Sequence, residues 1–148
     1  VSLLVNIADA VVVVLNGHAF SQAFTARRAC RLSLDRGADL ATLQVVAIPD
    51  GMAWELASRA KNQRDYGVQL VFLKAITPAG NMETEVPVLL TLVEEVADHM
   101  RAYPLAALSA QCIKVAMAPA AERGYIAEHL DEHRQFASAL DLTFRVYA

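Results

Sequence analysis

The chain has 148 residues, of which 55% are hydrophobic, with a formal net charge of −3 and a pI near 5.8. That length suits one domain able to bury roughly 70% of its unfolded surface, so neither a second domain nor disulfide staples are needed. The apolar excess points to surface covered by a partner or by copies of the chain itself, although abundant alanine inflates the figure.

The first fifteen residues are apolar but lack a basic leader region and are interrupted by Asn6 and Asp9. They are too short to span a bilayer and do not fit a signal peptide. The expectation is a soluble protein made inside the cell, its initiator Met removed or the sequence beginning late. Leu4, Ile7, Val11, Val14 and Leu15 form the stripe of an amphipathic helix, with Asn16-Gly17 as its stop signal. The run Val11 to Val14 argues for a strand instead, but the stripe spans the whole segment and the helix is preferred.

Phe20 to Arg31 suggests an exposed strand, and Asp35 to Asp39 a loop. Leu43 to Ile48 is a short apolar strand that ends at a turn sequence, Pro49-Asp50-Gly51. Two alternating runs follow, Met52 to Arg59 and Tyr66 to Ile76, joined by the polar connection Lys61 to Asp65. Together they predict an antiparallel hairpin. Thr77 to Asn81 is a loop. Glu83 to Ala102 carries the clearest helical stripe (Val86, Leu89, Val93, Val96, Met100), with Glu94, Glu95, Asp98 and Arg101 toward water and Pro104 as the stop.

Ile113, Val115 and Met117 alternate with Cys112, Lys114 and Ala116 in a further short strand ended by Pro119. A charged segment from Glu122 to Arg134 leads to the last strand, in which Phe136, Leu140, Leu142, Phe144 and Val146 share one face and Ser138 is the exception. The order helix, four strands, helix, two strands gives an α+β fold: a single domain, residues 1–148, with a largely antiparallel β-sheet and helices packed on one face.

Chemistry leaves little trace in the sequence. Phosphate-cradling glycine loops and the nucleophile elbow have no match. Cys30 and Cys112 fit no metal or redox spacing. His129 and His133 stand four apart, as two ligands on one helix face would, but Leu130 follows His129 where a zinc peptidase would carry its general base. Glu94 and Asp98 share a helix face opposite the core stripe, which suits a solvated surface better than an acid/base pair. Neither a catalytic residue nor a metal or cofactor site is expected.

The basic cluster Arg27, Arg28, Arg31 and Arg36 could meet phosphates or an acidic protein surface. Without interleaved aromatics or a nucleic-acid motif, protein contact is the expected use. Trp54 is read as a core residue or interface anchor. The candidate interface residues are Arg27, Arg28, Arg31, Lys61, Arg64, Asp141 and Arg145.

Taken in order, these features resemble the tail terminator, or tail-completion, proteins of tailed bacteriophages. The residues that carry the resemblance are Ile7 to Val11 in the opening helix, Phe20 to Arg28, Leu40 to Val46 leading to Val-Ala-Ile-Pro, Ser58-Arg59, Leu92 to Asp98, and Leu130 followed by Phe136 to Arg145. The resemblance implies a non-enzymatic virion protein of the tail or neck, assembled in the host cytoplasm. It implies a homo-oligomeric ring, usually a hexamer, seated on the major tail tube protein, stopping polymerisation and presenting the surface for a head-completion or connector protein. DNA would pass through the lumen without specific binding, and no cofactor or membrane is implied. By position, Lys61 to Tyr66 and Thr77 to Thr84 would contact the ring or tube. Three alternatives stand beside it: a head-closure or neck component of the same virion, a small metal-dependent hydrolase using His129, His133 and nearby carboxylates, and a bacterial adaptor unrelated to phage.

Overall fold

A computed structural model describes residues 2–30, 41–56, 62–76 and 82–147. The expected loops at Asp35 to Asp39 and Thr77 to Asn81 lie outside these residues. Helix α1 (Leu3–Asn16) buries Ile7, Ala8, Val11 and Leu15, while Val13 is 71% exposed. Burial at a helical rather than a twofold period resolves the valine run in favour of helix. The Asn16 side chain then ties the helix end to the first strand. Its amide donates to the Ala26 carbonyl at 3.1 Å and its oxygen accepts from the Ala26 N–H at 2.7 Å, as a neighbouring strand would.

Strand β1 (Ala26–Arg28) is shorter than the exposed strand expected from Phe20 to Arg31, because Phe20 and Phe24 stack on each other beside α1. Strand β2 (Gln44–Leu56) and strand β3 (Asn62–Ala75) form the expected hairpin, but with different limits. Pro49-Asp50-Gly51 does not turn the chain. It is a bulge within one long strand, since Gln44 to Pro49 and Met52 to Leu56 pair with the same partner on either side of a register shift. Gly51 takes φ +106° there, a conformation that glycine adopts without steric cost. Likewise, Asn62 to Asp65 is not a solvated connection but the first part of β3, paired with β2 throughout and with the last strand of the chain from Gln63 on.

Helix α2 (Met82–Met100) buries the predicted stripe together with Leu92, and starts early enough to include Met82 to Thr84 from the expected loop contact. Acidic Glu83 and Glu85 in its first turn complement the helix dipole. The chain leaves it through Ala102 at φ 55° into β4 (Pro104–Leu105), a short 3-10 turn and β5 (Ala110–Met117). A second bulge, between Cys112 and Lys114, breaks the simple alternation there: Cys112 is buried and Ile113 is 44% exposed. The charged segment after Pro119 contains a short helix, α3 (Ala127–His133), and the chain closes with β6 (Gln135–Tyr147).

The sheet runs β1-β2-β3-β6-β5-β4, with β1 and β2 parallel and every other pair antiparallel. It is the expected α+β single domain, with one strand fewer before α2 and one more after it because of the β2 bulge and the short β4. The last strand is central, flanked by β3 over its full length and by β5 over half. Helix α1 packs against β2 and β3, and α2 against β6 and β5. Between them and the sheet lies the main core, built from Ile7, Val11, Leu15, Val45, Val68, Leu70, Phe72, Leu92, Val96, Phe136, Leu140, Leu142 and Phe144. A smaller cluster of Val71, Leu73, Ala118, Ala137 and Ala139 lies on the opposite face. Ser138, on the core face and fully buried, donates to the Gly124 carbonyl at 2.6 Å, which explains a hydroxyl among apolar neighbours.

Candidate functional site: an exposed apolar arm

Beyond its bulge, β2 carries Met52, Trp54 and Leu56 on the face that further along the strand holds Val45 and Ala47 in the core. Cross-strand register proves the shared face. Met52 lies opposite buried Tyr66, which lies opposite buried Phe144, and Trp54 lies opposite Arg64, which lies opposite buried Val146. Yet Met52 is 53%, Trp54 57% and Leu56 77% exposed. The pattern that places a core face on these residues therefore continues past the point where α1 covers it. Scattered apolar exposure is ordinary, but three large side chains in alternate positions on one strand form a contiguous stripe of the sort that marks a contact surface.

The arm also has a free edge. Strand β1 covers the outer side of β2 only from Val45 to Ala47, so among the described residues Ile48 to Leu56 has no outer neighbour. At the far side of the sheet, β4 covers β5 only at Ala110 and Gln111, and Cys112 donates its N–H to the Tyr103 carbonyl at 3.0 Å. From Ile113 onward β5 is likewise unpaired on its outer side among the described residues. Unpaired edges with apolar side chains are sites for pairing with another chain.

The basic and acidic residues expected at an interface are dispersed. Arg28 sits at the end of β1 and its Nε donates to Asp9 of α1 at 2.6 Å. Arg27, next to it in the strand, is half-buried. Arg145 donates from Nε and Nη2 to the two carboxylate oxygens of Asp65, at 2.9 and 3.2 Å. Its pKa is raised, first by those hydrogen bonds and against a smaller opposing effect of desolvation. Asp141 accepts from Gln69 at 3.3 Å. Arg28, Asp141 and Arg145 thus already hold partners within the chain. Arg64, half-buried and opposite Trp54 in the ladder, has a buried Nε with no hydrogen-bond partner among the described residues. Arg31 and Lys61 lie outside the described residues.

No group of three or more metal-ligating side chains occurs among the described residues. Glu94 and Asp98 are exposed on α2, with Asp98 paired to Arg101 at 3.3 Å. One cluster escaped the sequence reading altogether. His18, just past α1, stacks on His99 at the end of α2 with ring centroids 4.1 Å apart, and Phe20 and Tyr103 pack around them. Burial and the neighbouring His18 lower the His99 pKa. Nearby, Glu95 is held below the ordinary carboxylate range by hydrogen bonds from Ser21, hydroxyl and backbone, the N–H donating at 2.9 Å. These residues join the two helix ends across about eighty positions of sequence, a pairing that no local periodicity encodes.

No helix among the described residues is long and apolar enough to cross a membrane. Comparison with models of known protein families and with curated proteins finds no match.

Proposed function

We propose that this chain is a structural virion protein of the phage tail-terminator kind. Copies form a ring on the head-proximal end of the tail tube, stop its polymerisation and offer the surface to which the head joins. The reading starts from the resemblance carried by the opening helix, the Leu92 to Asp98 helix and the alternating last strand. The observation that supports it best is the apolar stripe Met52, Trp54 and Leu56 on a strand whose outer edge has no neighbour there among the described residues. Such a stripe suits a protein whose work is assembly, because association removes it from water and rotational closure then limits growth.

The function is steric, so its residues are contact residues rather than acids, bases or nucleophiles. A ring needs two different, complementary flanks on each subunit, and the edges of β2 and β5 that are uncovered among the described residues stand on opposite sides of the sheet. A hexamer is the expected stoichiometry, with the tail tube protein below and a connector protein above.

The test is electron microscopy of the purified chain, followed by its addition to polymerising tail tubes. Rings that appear alone and cap the tubes support the reading. Rings that bind tail-less heads and leave tubes uncapped assign the head-closure role instead, and a chain that stays monomeric and leaves tubes growing overturns both.

A further inference from the structure

A hollow of about 290 Å³ lies at the β5 edge, between the end of α2 and the strand, lined by Arg101, Ala102, Cys112, Ile113 and Lys114 among others. We propose that it is the socket for Trp54 of a second copy of this chain, so that subunits join head to tail. The proposal deepens the ring reading and rests on it for closure of the chain of copies.

Three observations select a second copy as the occupant. The first is position within the sheet. Met52, Tyr66, Phe144 and Cys112 form one continuous cross-strand row, and Trp54, Arg64, Val146 and Ala110 the next. The Trp54 stripe and the hollow stand at opposite ends of these rows. Because β4 covers Ala110, the outer edge of β2 in one copy meets the edge of β5 in another with a shift along the strands that brings Glu55 level with Lys114 and Trp54 level with Val115, and the sheet continues with its helix-bearing face on the same side. Trp54 then falls on the face where α2 ends and the hollow opens.

The second is charge. The rim of the hollow carries exposed Arg101 and Lys114, and the described arm carries exposed Asp50 and Glu55. Glu55 alternates with Trp54 and so lies on the other face of its strand, opposite Gln63 and level with Tyr147. Lys114 is opposite Thr143, also on that other face. In the continued sheet the carboxylate and the ammonium therefore share a face, while the indole enters from the other. The third is chemistry and size: the hollow can hold an indole, has buried Cys112 at its floor and exposed Ile113 at its lip, and the exposed Arg101 guanidinium, paired with Asp98 at 3.3 Å, can stack on the ring while keeping that ion pair.

The experiment is sedimentation velocity and native mass spectrometry of the full chain and its variants. Wild type should self-associate. Trp54→Ala, a substitution at an exposed position, should weaken association by roughly 30-fold or more, as truncation of a central interface tryptophan does, with an unchanged melting transition. Lys114→Glu should also dissociate the assembly, and combining it with Glu55→Lys should restore it.

The decisive sample is a mixture of Trp54→Ala with Lys114→Glu. Each retains one sound half of the junction, so the mixture should form a one-to-one dimer that grows no further. A mixture that remains monomeric, or assemblies that persist in Trp54→Ala, overturn the socket. Rings that persist in Trp54→Ala would leave the terminator reading standing, whereas Trp54-dependent oligomers that never cap a tail would refute that reading and keep the socket.

Discussion

Gly67 faces Asp50 across the β2–β3 ladder so closely that a Cβ on Gly67 would lie 2.5 Å from the Asp50 carbonyl oxygen. The bulge that turns two expected strands into one therefore depends on a glycine in the opposite strand. Gly67→Ala must push backbone against backbone, and we expect a loss of about 1–3 kcal/mol in a denaturant melt. Gly51→Ala has open space around it but a φ of +106°, so about 1 kcal/mol is expected there from backbone strain alone. Equal stability of Gly67→Ala and wild type would refute the close approach.

The last strand supplies fully buried Phe136, Leu142 and Phe144 from the centre of the sheet. A chain ending at Gln135 should show no cooperative unfolding transition by circular dichroism, rather than a folded subunit that merely fails to assemble. Leu142→Ala should lower stability by about 2–5 kcal/mol, as core truncations do.

Ser138 and Gly124 make a test of a single hydrogen bond. Ser138→Ala removes the buried donor to the Gly124 carbonyl, and a loss of about 1–3 kcal/mol is expected. The turn it anchors has Gly124 at φ +101°, so increased amide exchange should be confined to that turn and the start of α3 if the bond is its tether.

Acid should loosen the junction between the ends of α1 and α2. His99 has a pKa below its ordinary 6.5 and Glu95 one below its ordinary 4.5. For both, the folded state binds protons less readily than the unfolded chain, so stability is fully present above the ordinary value and is lost as pH falls through the lowered one. Equilibrium stability should therefore decline from about pH 6.5 downward through His99, and again below about 4.5 through Glu95. His99→Phe should flatten the first decline and Glu95→Gln the second. A profile unchanged by His99→Phe would show that the stacked imidazoles do not report on folding.

Two predictions about surface charge follow from the ion pairs. Arg145→Ala should lower the melting temperature, since it leaves Asp65 without its bidentate partner at 2.9 and 3.2 Å, but should not change self-association. Arg28→Ala should behave likewise, because its guanidinium is engaged with Asp9. Loss of assembly with intact folding in either variant would return these residues to the interface.

How far the fold was legible depended on the range of the contacts involved. The helices at Leu3–Asn16 and Met82–Met100 and the strand at Gln135–Tyr147 follow from periodicities of single side chains, which any window of sequence contains. Pro49-Asp50-Gly51 and Asn62 to Asp65 have the composition of a turn and a loop but lie within strands. Whether such residues bulge or turn is decided by the strand opposite, where Gly67 makes room. At the site, Trp54 was recognisable as an anchor by residue type. The pairing of the expected interface charges is not legible, since Arg28, Asp141 and Arg145 find their partners 19 to 80 positions away.

By itself the sequence determined the α+β class, the core faces of the main helices and the last strand, and the lack of recognisable catalytic motifs, because alternation and helical stripes are local consequences of backbone geometry. Only the tertiary structure decided that β6 is central, that β2 and β5 keep edges uncovered among the described residues, and that the core-face pattern of β2 emerges into solvent at Met52, Trp54 and Leu56. Exposure is a property of what packs over a residue, and the extent of α1 over β2 is set by the length of a helix that lies some thirty residues earlier in the chain.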